Sequence, residues 1–303
     1  MNRACICVGL LYLLLSFGLG AQQSTVARYF SGVVANDVFY LPIKTDRYFT
    51  SGVQFEYGIT QAVSSSVLPG LEERVSRYWR VNHHLYTPSA IDSSNLQVND
   101  RPFASYLTIS RGKIYQSEVL GLRLEQLWTI GVLGKYSGGG RIQNAFHEMV
   151  KFAEPIPGWT HEVAPDFILN YQLSMRQDFP LLGRFVVAPS FTIRAGTLYT
   201  DISGGFFLSG KLVAFSPRRF LRLGFGSDLR FVGYDATLSG GLLNRDERYR
   251  GVIQPRRIVG QFQLRGSLHF DGWRGSAGLA YLSKEFTGGW SHTWAWFGLS
   301  FEL

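Results

Sequence analysis

The last twelve residues of the chain, HTWAWFGLSFEL, alternate between two kinds of side chain. One face carries Ala295, Phe297, Leu299 and then apolar residues to the end, whereas the other carries tryptophan, glycine, serine and glutamate. A period of two places these sets on opposite faces of a β-strand. A face that is apolar throughout suits contact with lipid, and a mixed face suits the lumen of a barrel. The pattern predicts a strand of a membrane barrel.

The same period recurs in TSGVQFEYGIT (50–60), DFILNYQLSMR (166–176) and QFQLRGSLHF (261–270). In the last of these, Arg265 and His269 fall on the inward face, where we expect solvated lumen polarity. About twelve such strands are predicted, near residues 27–36, 49–61, 73–87, 102–112, 117–134, 164–177, 183–198, 203–216, 218–235, 254–270, 272–286 and 290–303. An even number of antiparallel strands is typical of a single-chain outer-membrane barrel. The predicted fold class is all-β, a transmembrane antiparallel β-barrel.

The predicted connections alternate between long and short. RGKIYQS, DFPLLG, SPR and DG are predicted to be short turns, whereas 37–48, 88–101, 135–163 and 236–253 are long loops. Outer-membrane barrels place short turns in the periplasm and long loops outside the cell. The unusual motifs of this sequence all fall in or beside the long loops, so we expect any chemistry at the outer rim.

The first 21 residues predict export. One charge at Arg3 precedes an apolar run that ends in small residues, as in a secretory signal peptide. Residues 1–21 are therefore predicted to be a signal peptide and residues 22–303 the barrel domain. Both cysteines, Cys5 and Cys7, lie in the signal, which excludes a disulfide framework or thiolate site in the mature chain. The net charge of +8 favours anionic lipid head groups over nucleic acid in an exported protein, and a general role in solubility explains a charge of this size equally well.

One segment, Lys135 to Trp159, has the pattern of a helix. From Arg141 onward, apolar residues recur near the helical period, and Gln143 and His147 share a neighbouring face one turn apart. Three glycines precede this helix, and Pro155 and Pro157 follow it. The sequence therefore predicts a short amphipathic helix in an extracellular loop. It presents a titratable imidazole.

Four other features are candidates for a site, and each has a structural alternative. Asn36-Asp37 ends the first strand and could simply form a turn. Thr50 and Gly52 re-enter the second strand, where an ordinary loop closure is the alternative. Arg101 re-enters the barrel before Pro102, where a structural bend is the alternative. The loop 244–257 carries Arg245, Arg248 and three further arginines, which could bind lipid phosphates or remain solvated.

The types of these residues permit ester hydrolysis. An imidazole oriented by a carboxylate or amide can take a proton from water, which is general base catalysis. Hard oxygen ligands such as Asp37 and Glu154 could hold Ca²⁺. The sequence contains no GxSxG elbow, HExxH motif or phosphate loop. A serine hydrolase, a zinc protease and a nucleotide hydrolase are not indicated.

Taken together, the ordered motifs resemble the outer-membrane lipid A 3′-O-deacylase family. They are Asn36-Asp37, TDRYFTSG (45–52), YTPS (86–89), NDRPFAS (99–105), GGGRIQNAFHEMV (138–150) with Trp159, and LSKEFTGG (282–289). The resemblance covers essentially the whole mature chain. It implies a twelve-stranded barrel with the active site between the outer rim and the loop helix. It also implies calcium-dependent hydrolysis of the 3′ acyl or acyloxyacyl ester of lipid A.

The resemblance carries roles to individual residues. His147 matches the general base, and Asn36, Asp37, Thr50 and Gln143 match the other site residues. The family's site glutamate falls at Glu154 if one residue is inserted after the helix, and Glu148 is the alternative. Basic residues expected after YTPS are missing, so substrate binding is assigned to Gly52, Arg101, Arg245 and Arg248.

We therefore expect an esterase of the bacterial outer membrane, acting as a monomer on lipopolysaccharide in the outer leaflet. Ca²⁺ is the expected cofactor, held by Asp37 and Glu154. Two alternatives remain open. The protein could be a non-catalytic channel or structural barrel, or a calcium-dependent outer-membrane phospholipase.

Overall fold

The computed structural model describes residues 26–40, 47–62, 74–91, 94–96, 99–150, 154–249, 251 and 253–303. The predicted signal peptide lies outside these residues. The strands are β1 (Val26–Asn36), β2 (Tyr48–Ala62), β3 (Arg74–Thr87), β4 (Ala104–Ser117), β5 (Leu122–Leu133), β6 (Asp166–Gln177), β7 (Phe179–Leu181), β8 (Phe185–Gly196), β9 (Tyr199–Ser216), β10 (Arg219–Asp235), β11 (Ile258–Phe270), β12 (Trp273–Leu282) and β13 (His292–Glu302).

Twelve long strands form one closed antiparallel barrel. Successive strands pair along the sheet, β1 pairs with β13, and β6 pairs with β8 to complete the ring. The three-residue β7 only extends the turn before β8. Closure leaves no long strand with an unpaired edge, which a structure embedded in lipid requires. The predicted fold class is confirmed.

The alternation of side chains sorts the two barrel faces as predicted. On β13, Phe297 and Leu299 are about half exposed on the outer wall, whereas Trp296 lines an interior cavity. On β2, Phe55 and Tyr57 face outward, and Glu56 turns inward to bind Arg80. None of the helices in the described ranges is long and apolar enough to span a membrane.

Loops gather at the two ends of the barrel. Residues 37–47, 88–103, 134–165, 236–257 and 283–291 connect strands at one end, called the long-loop end. Turns such as 217–218 and 271–272 lie at the opposite, short-turn end. Two helices, α1 (Gly139–Val150) and α2 (Ala236–Ser239), and three 3-10 turns (Asp37–Phe39, Gly134–Ser137 and Pro157–His161) belong to the long-loop end.

One predicted turn is wrong. RGKIYQS, residues 111–117, continues β4, and the chain turns at 118–121 instead. Arg111 stacks over the Trp79 ring at 5.0 Å, and Lys113 stacks over the Tyr115 ring at 4.1 Å. Long basic side chains can bury their apolar stems on aromatic rings in this way. The strand therefore continues through the charged residues of this segment instead of ending at them.

Two apolar clusters cover the long-loop end. The larger fills the mouth of the barrel beneath the loops and includes Leu133, Leu238 and Phe286. The smaller lies outside the wall and joins Leu85, Phe103, Ile156 and Trp159. The second cluster holds the segment that contains α1 against β3 and β4.

Candidate functional site

The three glycines at the start of α1, Gly138 to Gly140, allow the chain to approach the wall closely. Gly138 has φ 75°, a left-handed conformation that favours glycine. A Cβ on Gly139 would lie 2.3 Å from the Ser105 Cβ, and one on Gly140 would lie 2.7 Å from the Trp159 Cγ. The glycines therefore fix where the helix begins and how near it sits to β4.

We expect Gly140→Ala to displace α1 while leaving the barrel intact. The new methyl group would overlap the Trp159 ring, and over-packing of this kind costs on the order of 1–3 kcal/mol. The hydrolysis of lipid A that the family resemblance implies should fall about tenfold or more, measured by mass spectrometry of the lipid. Gly275→Ala is the matched control, because a Cβ there meets no atom within 4 Å. Equal activity of the two variants would contradict the tight placement of α1.

One face of α1 is turned towards the protein. Gln143 is buried and accepts a hydrogen bond of 3.0 Å from the Trp159 indole N–H. The Trp159 ring in turn packs on Phe103 at 5.0 Å. His147, one turn later, is half-buried. The shared face of Gln143 and His147 that the helical period predicts is thus the face turned towards the protein.

His147 is oriented by a main-chain oxygen. Its Nδ1 lies 2.9 Å from the carbonyl oxygen of Glu154. A carbonyl only accepts, so Nδ1–H is the donor, and in the neutral ring Nε2 is then the basic nitrogen. In this tautomer Nε2 has a free lone pair, which a general base requires. The carboxylate of Glu154 is itself on an exposed residue.

The apolar face of α1 is exposed in the part of the chain that the structure describes. Ile142 and Phe146 are each 55% exposed, and Met149 is 72% exposed. Tyr136, just before the helix, is 66% exposed. An apolar helix face left open beside a lipid-facing wall is suited to contact with acyl chains.

The second group of predicted residues lies on the wall, at the ends of β1 and β2. Asn36 accepts a hydrogen bond of 2.8 Å from the Val38 N–H, and Asp37 accepts from the N–H groups of Val38 (2.9 Å) and Arg47 (3.0 Å). Asp37 is almost fully buried. These bonds also fit the turn-forming alternative, so a catalytic role for this pair stays a prediction.

Thr50 links this group to the strand beneath the helix. Its Oγ1 lies 2.7 Å from the Oγ1 of Thr87 on β3, and both residues are buried. β3 pairs with β2 on one side and packs against α1 on its outer face. The structure thus divides the predicted set into a helix group, Gln143 and His147, and a wall group, Asn36, Asp37 and Thr50, and β3 lies between them.

A buried cluster of one carboxyl group and two serine hydroxyl groups lies under the start of α1. Ser105 on β4 donates to Glu162, and its hydroxyl also bonds that of Ser137. Burial raises the pKa of Glu162 to about 7, although the hydrogen bond from Ser105 acts in the opposite direction. From the sequence alone, no role is assigned to Glu162. Its serine partners are distant in sequence and carried no signal.

This cluster predicts a pH-dependent stability. The ordinary pKa of a glutamate is 4.5, so between pH 4.5 and about 7 the folded chain binds more protons at Glu162 than the unfolded chain. Stability should therefore fall as pH rises through this window, by about 1.4 kcal/mol per unit of pKa difference. Glu162→Gln should flatten the dependence. Thermal unfolding of both proteins from pH 4 to 8 measures it, and parallel curves would contradict the assignment.

Two residues predicted to bind substrate lie inside the barrel. Arg101 is fully buried, pairs with Glu285, and donates to the Thr237 hydroxyl at 2.6 Å. A Cβ on Gly52 would meet the Phe49 ring at 2.7 Å and the His84 ring at 3.2 Å, both on the lumen side. Substrate contact does not fit the burial of Arg101, because its guanidinium is held by interior groups.

The basic loop does approach the site. Arg248 forms a bidentate ion pair with Asp246 and donates to the main-chain oxygen of Glu162 at 2.8 Å. These contacts attach the loop to the segment that follows α1. Burial alone would raise the pKa of Asp246, but hydrogen bonds from Arg248 and Ala164 hold it below its usual range. Arg245 is exposed. Of the predicted lipid-binding arginines, Arg248 is engaged by Asp246, and Arg245 faces solvent.

The wall group offers oxygen ligands of the type that Ca²⁺ binds. Asp37, Asn36 and Thr50 offer carboxylate, amide and hydroxyl oxygens, which are the ligands Ca²⁺ prefers. In the part of the chain that the structure describes, no three His, Cys, Asp or Glu side chains form a group that could hold a metal. Asp37 is the residue we expect to hold the ion. Joint binding by Asp37 and Glu154 stays a prediction.

Comparison with known proteins shows the family of the chain. The model of the family described as Outer membrane protein LpxR matches residues 6–303. The chain belongs to this family. LpxR from Salmonella typhimurium has a solved structure that is similar to this one, with a TM-score of 0.75 and 17% sequence identity, covering 90% of this chain and 99% of that chain. No curated protein matches the sequence.

A second solved structure, the beta domain of the Bordetella autotransporter BrkA, has a TM-score of 0.49 and 9% identity, covering 91% of this chain and 98% of that one. Family membership and the closed barrel place the protein in the bacterial outer membrane. The long-loop end, which carries α1, therefore corresponds to the extracellular side, and the short-turn end corresponds to the periplasmic side.

Proposed function

We propose that this protein is a lipid A 3′-O-deacylase, which hydrolyses the ester of the 3′ acyl or acyloxyacyl chain in the outer leaflet. Family membership and the ordered motifs support this activity. The observation that carries it is the position of His147. Its Nδ1 is held by a carbonyl oxygen, and its neighbours on the open face of α1 are apolar residues beside the wall.

The reaction needs one proton carrier. As water attacks the ester carbonyl, Nε2 of His147 takes a proton from the water. The tetrahedral intermediate then expels the sugar oxygen, which receives the proton from His147. The products are a fatty acid and a free 3′-hydroxyl group. No nucleophilic serine is required.

The other residues would orient this reaction. Gln143 and Trp159 hold the helix at the wall. The wall group contributes polar oxygens at the rim, and Asp37 would hold Ca²⁺, which when bound supplies positive charge to the developing oxyanion. The exposed Ile142, Phe146 and Met149 would contact the acyl chain, so lipid A need not leave the leaflet completely.

Purified protein tests the reaction on two substrates. We expect lipid A incubated with the protein and calcium to lose one 3′ acyl or acyloxyacyl unit, and we expect phospholipid in the same assay to remain intact. A chelator should abolish the loss. Lyso-phospholipid with unchanged lipid A would favour the phospholipase alternative. No product from either lipid with correctly folded protein would favour a non-catalytic barrel.

A further inference from the structure

The periplasmic half of the lumen contains a cavity of about 350 Å³ that the proposed reaction does not use. Four arginines line it: Arg176, Arg222, Arg265 and Arg274. The cavity also has one carboxylate, Glu56. Glu56 already binds Arg80 at 2.8 Å and accepts from the Tyr29 hydroxyl at 2.8 Å. The cavity therefore carries a strong excess of positive charge.

Two phenylalanine rings, Phe207 and Phe220, each lie against more than one of the basic side chains. Arg176 and Arg265 both lie over the Phe207 ring, at 5.7 and 5.6 Å from its centre, and Arg265 also lies 5.0 Å from the Trp296 ring. The two guanidiniums thus share one ring. The sequence predicts only solvated polar side chains in the lumen, whereas the structure places these two guanidinium groups close together.

The second ring, Phe220, is surrounded by one imidazole and two cations. His269 stacks on it at 4.2 Å, Lys211 lies 4.5 Å from its centre and Arg222 lies 5.7 Å away. The strand register also places two like charges directly opposite each other, Lys211 against Arg222, and it places the His269 imidazole opposite Arg274. Like charges in directly opposed positions destabilise a sheet.

The facing wall shows that this barrel can neutralise interior charge. There, Arg80 bridges Glu56 and Glu125, and Glu125 also binds Arg123. Arg176 has a partner in Asp178. In contrast, Arg222, Arg265 and Arg274 take part in no ion pair within the described ranges. Serines such as Ser209 and Ser267 line the same cavity and can donate hydrogen bonds.

We propose that this arginine cavity binds a small multivalent oxyanion from the periplasm, of the phosphate or carboxylate class. Guanidinium groups bind the oxygens of such anions through two parallel hydrogen bonds. A bound anion would offset the repulsion between the opposed cations. The site lies at the opposite end of the barrel from α1 and is independent of the deacylase reaction.

Calorimetric titration of the detergent-solubilised protein at low ionic strength tests the site. Inorganic pyrophosphate and citrate are the probes, in separate arms that distinguish phosphate from carboxylate. We expect the folded protein to bind at least one of them. Arg222→Gln and Arg265→Gln should each weaken binding at least tenfold. Arg77→Gln, which removes the same charge from an exposed position on β3, should leave it unchanged.

Thermal unfolding gives a second readout. Without an anion at low salt, Arg265→Gln should unfold at a higher temperature than the unsubstituted protein, because its repulsion with Arg176 and Arg274 is removed. Pyrophosphate or citrate should raise the unfolding temperature of the unsubstituted protein. The proposal is overturned if the folded protein binds neither anion, or if Arg77→Gln weakens binding as much as the lumen variants.

Discussion

Replacement of His147 by alanine is expected to reduce lipid A hydrolysis by a factor of about 10² to 10⁴, the usual contribution of a general base. Among the described residues, the side chain forms one hydrogen bond, from Nδ1 to the Glu154 carbonyl, and it is half-buried on the helix. Its loss should therefore change the reaction far more than the fold. The measurement is the initial rate of fatty acid release from lipid A by purified protein.

His161→Ala is the matched control, because His161 is another histidine of the same loop and its Nε2 bonds the main-chain oxygen of Ser94 at 2.9 Å. This variant should retain the rate within a few-fold. His147→Gln should be as inactive as His147→Ala, since an amide cannot take a proton from water near neutral pH. A His147→Ala protein that is folded and fully active would remove the imidazole from the mechanism.

The second large effect concerns stability. Arg101→Met should destabilise the barrel by about 3–5 kcal/mol, because it leaves the buried Glu285 without its partner. The guanidinium also lies 4.2 Å from the Tyr86 ring and donates to Thr237, so one side chain joins β3, α2 and the last loop. Unfolding in denaturant, followed by tryptophan fluorescence, measures the loss.

The double variant Arg101→Met with Glu285→Gln should recover part of this stability, since it removes the unpaired charge. Arg111→Met serves as the control, because Arg111 is exposed on the outer wall and should contribute less than about 1 kcal/mol. If Arg101→Met and Arg111→Met unfold at the same denaturant concentration, the interior pair does not stabilise the barrel.

The barrel was predictable from local pattern alone. A period of two fixes which side chains of β2 and β13 face lipid, and loop lengths fix which end carries the long loops. The end of β4 was not predictable in this way. Lys113 and Arg111 gain contacts with Tyr115 and Trp79 only when the strand continues, and such packing is invisible in a count of charges.

The site was predictable in part. The helical period places Gln143 and His147 on one face, and the structure turns that face to the wall. The partners of Arg101 were not predictable, because Glu285 is 184 residues away in sequence and only closure of the barrel brings it near. Glu162 likewise meets Ser105 across 57 residues. Contacts made by long-range closure leave no local trace in sequence.

The most direct test is the mass spectrum of lipid A from a bacterial host that expresses this protein, compared with the same host expressing His147→Ala, both with calcium. The account predicts that lipid A loses one 3′ acyl or acyloxyacyl unit only when His147 is present. Unchanged lipid A in a host whose outer membrane holds the folded, unsubstituted protein would contradict the proposed activity.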